Sequence, residues 1–336
     1  MTSQRIQSIA VYGAGSWGTA LALQLARNGL DVLLWDFNPA HVEALNRQRE
    51  NTHYLPGIPF PDNLRCESDL ATVAASSDYH LIVVPSHGFR SLLQNLAPLL
   101  TAQDAVIWAT KGLELDTGKL LHQVLEEVLP QCAAYGVVSG PTFAGEVARG
   151  LPTAMTVAAN QPALAQAMAA AFQAANYRAY ISNDVVGVEL GGALKNVLAI
   201  AAGISDGLGF GANARVAIVT RGLAEIMRLG VKLGAQSETL MGLAGVGDLV
   251  LTCTDNQSRN RRLGLALGQG KDRDTAIAEI GQAVEGAKSA LSIGKLAERA
   301  SVEMPICQQV YRILYEQLPP RQAVAELLSR DLKAEF

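Results

Sequence analysis

The sequence predicts an α/β, doubly wound and mostly parallel sheet over residues 1–186, followed by an all-α C-terminal domain over 187–336. Three observations lead there. Short apolar runs alternate with helix-like segments through the first half. A glycine-rich turn follows the first of those runs. From about Asp184 the apolar runs stop, and long alanine-, leucine- and glycine-rich segments of helical spacing take over. With 336 residues, the chain also exceeds the usual reach of one core.

Taken in order, Ile6–Tyr12 reads as a buried strand and Trp17–Arg27 as a helix that Gly29 is placed to end. Asp31–Trp35, His80–Val84, Ala105–Thr110, Tyr135–Ser139 and Ala154–Ala158 read as further strands, with helices at Phe89–Leu100 and Leu120–Val128. In the second half, Val185–Ile204, Ala214–Leu229, Asp272–Ile280, Val284–Arg299 and Pro305–Gln317 carry helical periodicity. The uncharged stretch Leu151–Tyr177 is long enough to span a bilayer. Its prolines, asparagine and glutamines fit a strand followed by an alanine-rich helix better.

Composition narrows the function classes. Apolar residues make up 49% and charged residues 17%, ample for a buried core. A net charge of −4 supplies no global field toward nucleic acid or anionic lipid, so neither is expected as a partner. Cys66, Cys132, Cys253 and Cys307 are scattered without a CxxC pair, which suits reduced thiols in the cytoplasm. The five histidines show no ligand spacing with them, so no metal site is expected. The N-terminus leads into a strand without an apolar leader, so no signal peptide is expected.

Gly13-Ala14-Gly15-Ser16-Trp17-Gly18 fits GxGxxG and sits between a strand and a helix, the context a Rossmann-type dinucleotide site demands. Gly13 permits the tight turn, Gly15 lets backbone approach a pyrophosphate, and Gly18 allows close helix–strand packing. The helix N-terminus offers free N–H groups to phosphate. Asp36, at the end of the second strand, would accept hydrogen bonds from ribose hydroxyls and repel a 2′-phosphate, which favours NAD(H). Arg47 and Arg49 lie close enough in sequence to meet a 2′-phosphate, so the cofactor is expected as NAD(P)H.

Three further segments combine rare features. Ser139-Gly140-Pro141-Thr142-Phe143-Ala144 follows a strand, where open parallel sheets gather ligands. In Gly191-Gly192-Ala193-Leu194-Lys195-Asn196-Val197 a lysine and an asparagine interrupt an apolar helix, and a buried ammonium needs a reason. Gly242–Leu249 brings Asp248 into a glycine-rich segment, followed by Thr252 and by Ser258-Arg259-Asn260-Arg261-Arg262. A carboxylate beside a basic cluster suits a small phosphorylated substrate, because a guanidinium bonds two phosphate oxygens at once.

These blocks together resemble the NAD(P)-dependent glycerol-3-phosphate dehydrogenase family of bacterial type. The resemblance rests on GAGSWGTALA, ATKG, SGPTFAGE, GGALKNVLAIAAGISDGLGFGANARVAIVTRGLAE, GLAGVGDLVLTC and SRNRRLG, in family order from Gly13 to about Gly286. It implies that Ser16, Trp17, Phe37 and Ala144 contact the cofactor, and that Lys111 contacts both cofactor and substrate. Gly140, Thr142, Asp248, Ser258, Arg259 and Asn260 would bind substrate, with Arg259 also near the cofactor. Glu285 would reach the cofactor from the second domain. Lys195 would transfer the proton during interconversion of dihydroxyacetone phosphate and sn-glycerol 3-phosphate. Beyond the resemblance, the chemistry of hydride transfer suggests that Lys111 and Asn196 add polar stabilisation to the developing alkoxide and that Asp248 orients Lys195. A homodimer is the family expectation. A related two-domain hydroxyacid or sugar-acid dehydrogenase, and a non-catalytic NADH sensor, are the rival readings; the first shares the glycine loop but not the full set of blocks.

Overall fold

The computed structural model describes residues 6–331. Eight strands form one sheet: β1 Ser8–Tyr12, β2 Asp31–Trp35, β3 Leu64–Glu67, β4 Tyr79–Ile82, β5 Ala105–Trp108, β6 Ala134–Ser139, β7 Thr153–Ala159 and β8 Tyr177–Ser182. Their spatial order is β3-β2-β1-β4-β5-β6-β7-β8. Neighbours run parallel except β6 and β7, which are antiparallel. The winding reverses between β1 and β4. The crevice outside their carboxyl ends is where sheets of this kind take ligands.

The six expected strands are present. The two that the apolar pattern does not reveal, β3 and β8, are the sheet edges. Leu64-Arg65-Cys66-Glu67 buries alternate residues only, and β8 exposes most of its length. A half-solvated edge has no continuous apolar run to betray it. The helices Pro39–Gln48 and Arg259–Gly268 are also found where no helix is expected, because their sequences are largely polar or cationic.

Alternation within the central strands supplies both faces of the sheet. Ile9 and Val11 of β1 face a layer built by Leu21, Leu25, Met168 and Phe172, whereas Ala10 and Tyr12 face one built by Phe89, Leu93, Trp108 and Leu125. This second layer includes Val185 and Val188, so the helical half begins packed on the sheet. After Ser182 every regular element among the described residues is helical.

The helical half is organised around the long helix Val185–Gly207. It is long and apolar enough to cross a membrane, yet 94% of that window is buried inside the protein. Helices Gly211–Lys232, Arg259–Gly268, Glu285–Ala300 and Pro305–Tyr315 wrap it. Its contact with Arg259–Gly268 is backbone to backbone. A methyl group on Gly264 would lie 2.0 Å from the Ile200 carbonyl oxygen, and one on Gly203 2.1 Å from that of Arg261. Gly207 and Gly268 repeat the arrangement one turn on. Reciprocal glycines four apart thus let two helices touch along their backbones, which fixes what each presents to the crevice.

Gly264→Ala is expected to destabilise the fold by roughly 1–3 kcal/mol, because two backbones must separate. A methyl group on Gly294, within the helix Glu285–Ala300, would meet nothing within 4 Å among the described residues. Gly294→Ala is therefore expected to stabilise by roughly 0.5–1 kcal/mol through helix propensity alone. Opposite shifts of thermal midpoint in the two variants would check the packing.

Candidate active site

The glycine loop joins β1 to the helix Ser16–Arg27 at the reversal point. The Gly13 amide donates to the Trp35 carbonyl of β2, 2.9 Å away, in a left-handed conformation at φ 114°. A side chain on Gly13 would strike the Val83 carbonyl oxygen just past β4, at 2.9 Å, and one on Gly18 the Gly13 carbonyl oxygen at 1.9 Å. A methyl group on Gly15 would meet nothing within 4 Å among the described residues, so this glycine leaves room for a ligand. The Trp17 indole N–H is buried with no hydrogen-bond partner among the described residues. A closed turn with one open face and an unused donor beside it fits the backbone and phosphates of a dinucleotide.

Residues distant in sequence brace this loop. Asn51, fully buried, donates to the Ala14 carbonyl (2.9 Å) and to Thr19 Oγ1 (2.8 Å). Ser16 Oγ donates to the Tyr54 carbonyl at 3.0 Å. Neither Asn51 nor Tyr54 carries a local signal that sequence reasoning could use; their roles arise from the path of the 49–60 segment. Asp36 closes β2, 8% exposed, and accepts from the Asn38 amide at 3.0 Å. Phe37 beside it is 79% exposed.

The structure corrects one expectation here. The Arg49 guanidinium donates to the carbonyls of Leu64 (2.8 Å) and Pro61 (2.6 Å), and so is taken up by the turn before β3. Arg47 lies beside Glu43 on the exposed face of its helix, at 3.7 Å. Arg49 follows the helix Pro39–Gln48 in a left-handed conformation that carries its guanidinium to the turn before β3, and Arg47 is paired with Glu43 rather than Asp36.

Three charges from three separate elements meet at the crevice. Lys195, midway along the long helix and 6% exposed, donates through Nζ to Asp248 Oδ1. Lys111, from the loop after β5, donates to Asp248 Oδ2 at 2.8 Å and to the Gly140 carbonyl after β6 at 3.4 Å. Asp248 is wholly buried and opens the helix Asp248–Thr254; Thr252 Oγ1 donates to its main-chain carbonyl at 2.6 Å. Glycines make the approach possible. A methyl group on Gly191 would lie 2.2 Å from the Ala244 carbonyl oxygen, and one on Gly192 would press on Ser139 Oγ and the Lys111 stem. The wide π-turn Leu243–Gly247 can therefore lie on the long helix and place Asp248 opposite Lys195.

Burial pulls the pKa of Lys195 down to about 7. Asp248 opposes that fall, and Lys111, a second ammonium nearby, reinforces it. The Lys111 ammonium also lies 5.8 Å over the Trp17 ring, which links the charge cluster to the glycine loop. Ser139 Oγ is buried here without a hydrogen-bond partner among the described residues.

The basic segment splits across its helix. Ser258 caps it, accepting from the Arg261 amide at 3.2 Å. Asn260 donates to Asn196 Oδ1 at 2.9 Å and accepts from the Gly286 amide at 2.8 Å, joining three helices beside Lys195. Arg259 reaches Gln282 at 3.3 Å; burial lowers its pKa while Glu285 acts in the opposite sense. Arg261 instead pairs with Asp206 at 2.6 Å, and Arg262 is exposed. Glu285 opens the helix Glu285–Ala300 and accepts at 3.5 Å from Oγ of Ser86, the first residue of the helix Ser86–Leu96 that follows β4; burial raises its pKa. Thr142 Oγ1 donates to the Gly140 carbonyl at 3.1 Å, and Ala144 starts a short helix next to it.

A doubly wound sheet with this glycine loop, facing a buried lysine on a helical domain, defines a nicotinamide-dependent oxidoreductase. Residues 8–165 match the N-terminus, and 184–325 the C-terminus, of NAD-dependent glycerol-3-phosphate dehydrogenase. The chain belongs to that family. It is similar to glycerol-3-phosphate dehydrogenase (NAD(P)+) of Thioalkalivibrio sulfidiphilus, with 57% identity over 98% of both chains, and to that of Methylococcus capsulatus, with 56% identity over 98% of both. The crystal structure of glycerol-3-phosphate dehydrogenase from Coxiella burnetii superposes with a TM-score of 0.94 at 48% identity, covering 97% of this chain and 99% of that one. A D-mandelate dehydrogenase with NADH, 15% identical at a TM-score of 0.60, shares the fold alone. The cofactor is NAD(P)H, and the activity is NAD(P)-dependent glycerol-3-phosphate dehydrogenation.

Asp248→Asn removes the carboxylate that opposes the fall in the Lys195 pKa, so that pKa is expected to drop below its wild-type value, and an NMR titration of the Lys195 amine in both proteins would check it.

Proposed function

We propose that Lys195 is the proton donor to the C2 oxygen of dihydroxyacetone phosphate, and the acceptor when glycerol 3-phosphate is oxidised. The supporting observation is the buried Lys195–Asp248–Lys111 cluster at the mouth of the sheet crevice. NAD(P)H, when bound, supplies the hydride that reduces C2. As the carbonyl π electrons move onto oxygen, the Lys195 ammonium delivers a proton and becomes a neutral amine. Water then restores that proton. Asp248 orients Lys195 and keeps it charged; Lys111 stands ready as a second donor to the developing alkoxide. Preorganised donors of this kind commonly contribute roughly 2.7–4 kcal/mol each.

Arg259 and Asn260 grip the phosphate in this reading, with Asn196, Ser258, Gly140 and Thr142 completing the substrate site. Gly13, Gly15, Ser16, Trp17, Gly18, Asp36, Phe37, Ala144 and Glu285 hold the cofactor, Lys111 and Arg259 serving both ligands. The division at 1–186 and 187–336 places the glycine loop in the first part and the proton-transferring Lys195 in the second, and both ligands meet residues of both parts. The product carries two free hydroxyls and a phosphate, which suits a precursor of glycerophospholipids. Four free thiols suit the reducing cytoplasm, and the burial of the long apolar helix supports a protein that does not enter membranes. Small molecules rather than nucleic acid are its partners, and a homodimer is its working state.

Lys195→Ala is expected to lower turnover roughly 100–1,000-fold while NADH still binds in a fluorescence titration; near-normal turnover would remove the proton-transfer role. Arg259→Ala is expected to raise KM for dihydroxyacetone phosphate roughly 10–100-fold, the worth of charged hydrogen bonds. An unchanged KM would remove Arg259 from phosphate recognition.

A further inference from the structure

Cofactor choice in this groove turns on the charge around the adenosine ribose, and Asp36 is not the only group there. His41 sits in the first turn of the helix Pro39–Gln48, with Nδ1 3.5 Å from Asp36 Oδ2. Its side chain is 17% exposed, and its Nε2 is buried with no hydrogen-bond partner among the described residues. The Tyr54 ring packs edge-on against the imidazole, centroids 5.6 Å apart, and the Tyr54 carbonyl holds Ser16 of the glycine loop. One imidazole thus lies against both Asp36 and the residue whose carbonyl holds Ser16 of the glycine loop.

The other titratable groups around this couple are engaged or distant in charge. The helix of His41 carries Glu43, beside Arg47. From the 49–60 segment come Tyr54 and His53, whose rings lie 4.4 Å apart, and Arg49, bonded to two carbonyls. From β3 come Cys66, a thiol raised by burial, and Glu67, which accepts from the amides of Ser68 and Asp69. Among the described residues His41 is therefore the basic side chain within ion-pair distance of Asp36.

We propose that His41 is a specificity-determining residue: its protonation sets how strongly the groove discriminates NADPH from NADH. With a neutral imidazole, Asp36 presents an uncompensated carboxylate that accepts the ribose hydroxyls and repels a 2′-phosphate. With an imidazolium, the carboxylate is neutralised by an ion pair and the repulsion falls. The step moves a proton between solvent and imidazole only. The inference rests on the assignment of the groove to NAD(P)H, and its sign is definite: NADPH gains on NADH as pH falls.

The test is the ratio of dissociation constants, NADPH over NADH, by fluorescence titration without substrate at pH 5.5 and pH 8. The 2′-phosphate itself ionises at about pH 6, so each variant is compared with wild type on the same ligands. Wild type is expected to lower the ratio between pH 8 and pH 5.5 by about tenfold more than His41→Asn, a factor worth about 1.4 kcal/mol. His41→Lys, charged at both pH values, is expected to hold the ratio low throughout. A wild-type slope in His41→Asn, or a ratio in His41→Lys no lower than in His41→Asn, overturns the proposal. Absence of NADH binding in the wild type at both pH values would instead overturn the groove assignment beneath it.

Discussion

Two ammonium groups share one buried carboxylate, and much of the molecule serves that arrangement. A lysine at the middle of a long apolar helix is costly to bury, and removing one partner of such a pair leaves an uncompensated charge. Asp248 answers both Lys195 and Lys111, from an element that has to lie directly on the helix backbone. Only glycine permits that approach at position 191, where the Ala244 carbonyl oxygen would stand 2.2 Å from a side chain. The glycine-rich texture of the Gly191 and Gly242 segments is thus a consequence of the charge cluster between them.

The same cluster ties the two halves together. Lys111 belongs to the loop after β5 of the sheet half, Asp248 and Lys195 to the helical half. That loop is clamped from several sides: Arg90 bonds Glu114 at its start, Arg299 donates to the Gly118 carbonyl at 2.8 Å, and Lys295 to that of Asp116 at 2.9 Å. Arg299 and Lys295 lie on the helix that Glu285 opens. One helix therefore touches both the loop of the shared lysine and, at its N-terminus, Ser86 at the start of the helix after β4. Lys111 itself is held by Asp248 and the Gly140 carbonyl, an arrangement that suits its proposed role as a second donor to a developing alkoxide.

At the far end of the groove the physical problem is a different one. The glycine loop is generic for dinucleotides, and in the proposed reading discrimination among them falls to the end of β2. There His41 lies 3.5 Å from Asp36, while Arg47 lies beside Glu43 and Arg49 is bonded to the turn before β3. Their nearness in sequence to Asp36 does not carry over into space, because a left-handed residue at Arg49 (φ 52°) ends the helix and sends its guanidinium to the turn before β3.

The sequence by itself determined the alternation of buried strands and helices, the glycine loop and its context, the shift to an all-helical second half, and the presence of an anomalous lysine at 195. Each is written locally, as a run, a spacing or a residue in the wrong company, and local patterns follow from backbone periodicity. The resemblance of whole blocks identified the family, and matched positions named Asp248, Lys111, Arg259 and Glu285. Tertiary structure alone decided the edge strands β3 and β8, the antiparallel turn-back of β7, the separation of Arg261 from Arg259, and the bracing of the phosphate loop by Asn51 and Tyr54. These depend on which surfaces meet across the fold. A half-exposed edge, an arginine's side of a helix and a contact between residues 14 and 51 leave no periodic trace along the chain, since the partner that gives each its meaning lies elsewhere in it.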